Sequence, residues 1–540
     1  SEDGRFFWST DPEFSRLLQG ASIPRPQDQG GDFYPPNSTE DIEIRNRLVD
    51  GFKRFVVIEN EIGKHGEVIA DRHQIAEFSK PAHFYMMMKF FEEANLIEIE
   101  RKHGQDPVVA KSKMMIQPLI ETMEDFENAP KIFAELLKDP LIVSYYKAMG
   151  SKAHIMLGFS DGAKTSGCFA SEWKIYRTMQ TLNRMFAESG IDLETTFSGR
   201  GRREARGGEE NFSEIYQLLP REINQKAVFD VTTQSDQPVH MATSAHYGEV
   251  KIAQAISGTI QGAIRDSGEL TDTEQKRLES YEKAMDTIAN KSAEIYQKLV
   301  RDHPQSIPFI KSMIRNPFAT SRPTIRLEEL PKEDRNPFDG LRMITVEYAG
   351  TLAKMPFLDA GMKEALQFAI EGGIEVLAKD GETVLKGREA LDELYANFNP
   401  AKKLIDKAST RMRHFDPVLA KMWTDALGTS DFGKGVIESL TGLDDLVKDI
   451  GGKKETVRPR VKSEEPRPHV RGTQAIISTC LISCDLGTDP KSNASTIAKR
   501  PDKDPVLGRV NLNAYSVMAN QYGRPAPLTM ERIQAVGTGR

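Results

Sequence analysis

Cysteine is nearly absent from this chain, with three in 540 residues, and so sparse and odd a set excludes a disulfide framework. Cys480 and Cys484 form a C-x-x-x-C pair without two further ligands nearby, and no H-E-x-x-H occurs, so no zinc motif is present. Cys168, Cys480 and Cys484 are therefore expected to be buried structural thiols in a reducing cytosol. Also missing is any run of about 18 uncharged apolar residues, the minimum for a membrane span. The N-terminal SEDGRFFWSTDPEF shows neither an initiator Met nor a basic stretch leading into an apolar run, so no secretory signal is visible. These absences predict a cytoplasmic protein without a membrane partner. A large excess of one charge is lacking too: 72 Lys+Arg oppose 79 Asp+Glu, for a net charge of −7. A mildly acidic whole does not suit a general nucleic-acid binder.

What is present is ordinary for a globular protein: 39% hydrophobic residues and 40 glycines, which excludes a wholly disordered or collagen-like chain. At roughly 150 residues per domain the length allows about three or four domains, although a β/α barrel absorbs several hundred residues into one body. One local departure is 453–471 (KKETVRPRVKSEEPRPHVR), whose seven Lys/Arg, three Glu and three Pro read as a solvated, mobile linker.

Residues 20–37 hold four prolines and three glycines and suit an extended connector. Ser38 and Thr39 open an expected helix to about Gly63, with Ile42, Leu48, Val49, Phe52, Phe55 and Val56 at helical spacing. A second helix is expected from Thr271 to Val300, because Thr271 and Glu274 have capping-box spacing and Leu278, Tyr281, Met285, Ile288, Ile295 and Leu299 form one stripe. Residues 360–378 and 386–412 also read as helices. Between these lie strand-like runs: MMIQPLIE (114–121), HIMLGFSD (154–161), LETTFSGR (193–200), KAVFDVTTQS (226–235), RPTIRL (322–327), RMITVEY (342–348) and QAIISTCLIS (474–483). Helices alternating with isolated apolar strands predict an α/β protein of parallel β/α units.

The first three runs end in Glu121, Asp161 and Arg200, at intervals of 40 and 39 residues, room for a helix and loop after each strand. In a β/α barrel the C-terminal strand ends converge on the active site, so this spacing puts charge where chemistry occurs. Acids that merely cap the following helix would produce the same pattern. Glu121 and Asp161 could share one hard cation such as Mg²⁺ or Mn²⁺, which prefers oxygen ligands and completes its shell with water or substrate oxygens. Directly after the third run comes FSGRGRREARGG (197–208), in which Arg200, Arg202, Arg203 and Arg206 lie among four glycines. Glycine lets backbone approach an anion and arginine supplies forked donors for phosphate or carboxylate. The tract lacks the G-K-[ST] of a phosphate-binding Walker loop, and alone it would read as a basic surface loop. Arg322 and Arg342 each open a strand-like run. Together these residues describe a site for an anionic, metal-chelating substrate.

At these residues the sequence resembles the phosphoenolpyruvate carboxylase family, in a divergent member of its short, archaeal-type branch. QPLIETMEDFENA (117–129) is similar to the segment supplying a metal-binding glutamate, and MLGFSDGAKTSG (156–167) to the Y-S-D-S-x-K-D-x-G segment that carries the metal aspartate. FSGRGRREARGG resembles F-H-G-R-G-G-x-x-G-R-G-G. SRPTIR and GLRMITVEYAGTLAKMPFLDAG (340–361) resemble S-R-P-x-x-R and L-R-A-I-P-W, in the family's order. The terminal AVGTGR (535–540) is similar to its G-T-G-R.

The resemblance implies an elaborated (β/α)8 barrel, predominantly helical overall. It is expected as one body over 1–540, with a connector and helices over 1–110, the barrel core over 111–350, and C-terminal helices and last strands over 351–540. It implies that Glu121 and Asp161 hold Mg²⁺ or Mn²⁺, and that Arg200 and Arg342, with Gly199 and Gly201 beside the first, bind the phosphate of phosphoenolpyruvate. Arg206 and Arg322 would act near bicarbonate and the carboxyphosphate formed from it. The implied reaction carboxylates phosphoenolpyruvate with bicarbonate to oxaloacetate and phosphate, in a homo-oligomer (a tetramer or dimer of dimers).

Two family histidines are replaced. In FWSTDPEF (7–14) Asp11 stands at the nearest position to one, Ser198 replaces the other, and Arg202 takes the place of a loop glycine. His240 and His246 follow the 226–235 run and could reach a barrel mouth, but a lone histidine there reads first as a structural residue. Two alternatives follow: a divergent enzyme that releases phosphate without carboxylation, and a non-catalytic regulatory relative that uses 453–471 to bind a partner.

Overall fold

The computed structural model describes residue 46 and residues 49–54, 72–75, 78–198, 218–226, 231–232, 245–314 and 336–452. The expected connector at 20–37, the runs at 322–327 and 474–483 and the basic segment 453–471 lie outside them. The chain divides into two compact units. Among described residues the first takes those up to 162 with 174–198 and 218–269, and the second takes 163–173 and 270–452.

The first unit is built on five parallel strands: β1 (Arg72–Ile75), β4 (Met115–Ile120), β5 (Lys152–Leu157), β6 (Asp192–Ser198) and β7 (Val231–Thr232), paired in that order. The intervening β2 (Ile97–Glu100) and β3 (Val108–Ser112) form a separate antiparallel pair. Every residue of β4 and all but the first of β5 are buried, as strands covered on both faces require. Between β4 and β5 run α2 (Met123–Leu136) and α3 (Pro140–Ala148), after α1 (Pro81–Glu93), and between β5 and β6 run α4 (Ser160–Ser166) and α5 (Cys168–Glu188). Phe84, Phe133, Tyr145, Tyr146 and Phe186 pack together with ring centroids 5.3–5.8 Å apart. The Tyr145 hydroxyl donates to Met114 O (2.8 Å) and accepts from Ile116 N–H (2.6 Å), so this aromatic core grips the entry to β4. Helices α6 (Arg221–Asn224) and α7 (Ala245–Arg265) complete the unit.

Strand order equal to chain order is what successive β/α units produce, and the predicted runs at 114–121, 154–161 and 193–200 are β4, β5 and β6. The 226–235 run holds only the two-residue β7 among described residues. The fold is mostly helical α/β with a parallel sheet. A closed ring of eight strands is not present among the described residues.

The second unit is helical. Its longest element, α8 (Asp272–Tyr296), starts at the expected capping box, with Thr271 Oγ1 accepting from Glu274 N–H and Glu274 reaching back to Thr271 N–H. After it come α9 (Ser306–Ile314), α10 (Met343–Leu352) and α11 (Met362–Phe368), then α12 (Gly387–Asn397), α13 (Asn399–Arg411), α14 (Pro417–Ala426), α15 (Ser430–Leu440) and α16 (Leu443–Ile450). The RMITVEY run, expected as a strand, is the start of α10. A short continuous apolar run does not separate a buried strand from a buried helix. Its continuation decides: Val346, Ala349, Leu352 and Ala353 are buried at helical spacing. The helix expected over 360–378 also ends early. Gly372, at φ 104°, breaks it, and β8 (Glu375–Leu377) turns back against β9 (Val384–Lys386). The 386–412 helix is two, because Phe398 is extended and Pro400 starts the second.

Candidate active site

β4 ends at Ile120, so Glu121 is the next residue; β5 ends at Leu157, and Asp161 follows in the first turn of α4. The strands pair Leu119 with Met156 and Ile120 with Leu157, and Gly158 N–H donates to Ile120 O at 2.8 Å. Two parallel strands thus end level, and both half-buried acids stand at the same C-terminal edge of the sheet. A Cβ at Gly158 would lie 3.1 Å from Cγ and 3.4 Å from Cα of Glu121. Glycine in this GFSD turn therefore keeps the space beside the carboxylate open.

Helix capping does not account for Glu121. Thr122 and Asp125 form the capping box of α2, with Asp125 N–H donating to Thr122 Oγ1 and Thr122 N–H to Asp125 Oδ2, both at 3.1 Å. As a donor set, two carboxylates suit a hard divalent cation that keeps water or substrate oxygens. Among the described residues no group of three or more His, Cys, Asp or Glu comes together as a metal site.

Arg342 belongs to the second unit, where it is the N-cap residue of α10, extended at φ −72°, ψ 136°. Its Nε is buried and has no hydrogen-bond partner among the described residues. An unsatisfied buried donor costs roughly 1–3 kcal/mol, so such an atom suits an anion. The sequence reading missed what holds this segment. Lys164, 5% exposed, donates from Nζ to Asp339 O (2.7 Å) and Leu341 O (3.0 Å), the residue before Arg342. Asp339 in turn takes a forked pair from Arg301 Nε (3.0 Å) and Nη2 (2.8 Å). Lys164 sits inside the quoted SDGAKTSG segment, so its position was visible although its partners were not.

Gly199, Arg200, Gly201, Arg202, Arg203, Arg206, Arg322, Asp11 and His240 lie outside the described residues. Of Ser198 and His246 only the backbone is described, at the end of β6 and the start of α7. Cys168 is buried, and burial pushes its thiol well above the ordinary range, as an inert structural thiol requires. Cys480 and Cys484 are outside the described residues. Among these residues no helix is long and apolar enough to cross a membrane.

Comparison with known proteins identifies a family for the stretch that carries these residues. A family model described as phosphoenolpyruvate carboxylase matches residues 38–442. The phosphoenolpyruvate carboxylase of Ralstonia nicotianae is 27% identical over 249 residues, covering 46% of this chain and 23% of the relative. That of Thermosynechococcus vestitus is 26% identical over 294 residues (52% and 26%), and that of Escherichia coli 28% identical over 282 (49% and 29%). The matched stretches thus span between a fifth and a third of the curated relatives' length.

Proposed function

The chain belongs to the phosphoenolpyruvate carboxylase family, and from that premise we propose that it joins bicarbonate to phosphoenolpyruvate, giving oxaloacetate and phosphate. The observation that carries the reading is the level ending of β4 and β5, with Glu121 directly after the first strand and Asp161 in the first turn of the helix that follows the second, both within the matched stretch. The five strands are read as part of a β/α barrel whose core is residues 111–350 of a single body.

Glu121 and Asp161 are the residues that would hold Mg²⁺ or Mn²⁺; when bound, the ion supplies positive charge against substrate oxygens that become negative in the reaction. Arg342, with its unpaired buried Nε, and Arg200 bind the phosphate, with Gly199 and Gly201 letting backbone come close. Bicarbonate oxygen attacks phosphorus, and the bond to the enol oxygen breaks, giving carboxyphosphate and the enolate of pyruvate. Arg200, Arg206, Arg322 and Arg342 offset the charge developing on the phosphoryl oxygens, as forked cationic donors do in phosphoryl transfer. Carboxyphosphate then releases carbon dioxide and phosphate, and the enolate carbon forms the new C–C bond. Water must be kept out, or the enolate takes a proton instead. The same reading makes the protein a cytoplasmic homo-oligomer, a tetramer or dimer of dimers, acting on these two small anions.

Oxaloacetate formation, followed as coupled NADH oxidation with bicarbonate and Mg²⁺, is the expected result. No turnover from protein that still binds phosphoenolpyruvate overturns it. The replacement of two family histidines at Asp11 and Ser198 supports a second reading, in which phosphate is released without a C–C bond. Phosphate matched one-for-one by oxaloacetate excludes that reading. A non-catalytic relative is excluded by metal-dependent turnover that disappears in Asp161→Asn.

A further inference from the structure

The six residues before Arg342, Asn336 to Leu341, belong to no helix, yet they are tied down at nearly every step. Asn336 donates from Nδ2 to Arg301 O (3.3 Å) and Asp302 Oδ1 (2.5 Å), and its Oδ1 accepts from Phe338 N–H (2.9 Å). Asp339 N–H donates to Asn336 O and Leu341 N–H to Phe338 O, at 2.9 and 3.0 Å. Phe338 and Leu341 are buried. The Asp339 carboxylate takes the forked pair from Arg301, while its carbonyl and that of Leu341 share the Lys164 ammonium.

These ties start from one place in the second unit. Tyr296, the last residue of α8, donates from its hydroxyl to Lys164 O (2.7 Å). Directly after it the helix widens into a π-turn, Gln297–Arg301, closed by Asp302 N–H donating to Gln297 O at 2.8 Å. Such turns are rare and cluster at functional sites. Arg301 is the last residue of this one.

The needs of α10 do not explain what the ties hold. Arg342 is its N-cap residue and makes no side-chain cap. Ser, Thr, Asp or Asn fills that position better, and a cation there opposes the helix dipole. None of the bonds named above uses the Arg342 guanidinium, whose buried Nε has no hydrogen-bond partner among the described residues. The segment therefore places this side chain without occupying it.

We propose that Arg301 and Asp339 are positioning residues, whose forked ion pair fixes the turn so that Arg342 stands in place before the substrate phosphate arrives. The inference rests on the reading of Arg342 as a phosphate ligand. A guanidinium on a loose turn would have to be ordered at the moment of binding, and that ordering subtracts from affinity. A planar fork resists rotation in a way that a single ammonium contact does not. The pair is partly open to water, at 25% and 30% exposure, so it adds little stability of its own and can be altered without unfolding the chain.

Isothermal titration of the full chain with phosphoenolpyruvate and Mg²⁺, in bicarbonate-free buffer, tests this. Arg301→Lys keeps the charge and loses the fork, and is expected to weaken phosphoenolpyruvate binding about tenfold, since small misplacements of a binding group cost that much or more. Its urea midpoint should stay close to wild type. Oxalate, a metal-chelating dianion without a phosphoryl group, should lose less than about twofold, because it has no phosphate for Arg342 to meet. If Arg301→Lys misfolds, Asp339→Asn, which keeps the shape of the acid, should separate the two ligands in the same way. Equal losses for both ligands, or an unchanged phosphoenolpyruvate affinity, overturn the positioning role and leave Arg342 as the ligand. An Arg342→Gln chain that binds phosphoenolpyruvate as tightly as wild type overturns the reading of Arg342, and the inference with it.

Discussion

Gly158 has no side chain where one would press on Glu121, and directly after Glu121 and Thr122 the chain is already helical. Glu121 is thus fixed between a buried strand end and a capping box that does not use it. Asp161 reaches the same edge from α4. If both acids hold a cation, Asp161→Asn removes one ligand charge while nearly preserving shape. A loss of at least about 100-fold in kcat/KM is expected, because metal and its surroundings supply several kcal/mol to such reactions. The thermal midpoint should move by no more than a few degrees, and a loss of activity that merely tracks unfolding would refute the assignment. A second side chain predicts pH dependence. Burial pushes the Asp139 carboxyl up to about 6, from an ordinary value of 3.8, against hydrogen bonds from Tyr85 Oη (2.6 Å) and Leu141 N–H (2.8 Å). Between these values the folded chain keeps a proton that the unfolded chain has released, so this site's contribution to stability falls as pH rises through the window. Asp139→Asn keeps the cap of α3 and removes the titration. Comparing urea midpoints at pH 4.5 and 7, the wild type should lose about 2 kcal/mol relative to the variant as pH rises.

Helix α8 and the turn into α11 show what an element needs beyond periodicity. The capping box at Thr271 and the apolar stripe were legible, since both depend on residues close in sequence. Gly361 was not. It opens α11 at φ 88°, and a Cβ there would lie 2.8 Å from Ser292 O and 2.9 Å from Tyr296 N, both backbone atoms of α8. Backbone cannot swing aside as a side-chain tip does. Gly361→Ala should therefore cost at least about 2 kcal/mol, combining left-handed strain with overpacking. A urea midpoint indistinguishable from wild type would show that α8 and α11 do not approach so closely. Helix α10 teaches the converse. Met343–Tyr348 has strand-like composition, and only the burial of Val346, Ala349, Leu352 and Ala353 on one side shows the helical period.

At the scale of the whole chain, buried charges within the second unit, which includes residues 163–173 of α4 and α5, join segments that sequence distance keeps apart. Lys407 on α13 donates to both oxygens of Glu172 on α5, at 2.7 and 2.8 Å, over 235 positions. Beside it Arg411 forks onto Asp359 with three contacts of 2.5–2.8 Å. All four side chains are at most 7% exposed. Such a pair adds little over apolar residues of the same shape, but removing one partner leaves a buried charge. Lys407→Met should lower stability by about 3–5 kcal/mol, and Glu172→Leu added to it should restore most of the loss; urea midpoints of the three chains decide. An undiminished Lys407→Met protein would place the pair in solvent.

By itself the sequence determined the order of elements from β4 to β6, the α8 cap and the burial of Cys168, because each follows from local period, turn chemistry or a short motif; it put Glu121 directly after a strand, whereas Asp161 proved to lie in the first turn of the following helix. It also carried the family resemblance, which the match over 38–442 bears out. Tertiary structure alone decided that β4 and β5 end level, since strand register is set by cross-strand pairing and not by either strand. It decided too that Lys164 holds the segment before Arg342, that RMITVEY is helix, and that Ile252, Ile256, Ile260 and Ile264 of α7 face outward. A residue's neighbours at 175 positions' distance, as for Lys164 and Asp339, and the choice between core and surface for an apolar face are set by what packs against it. No local pattern encodes that.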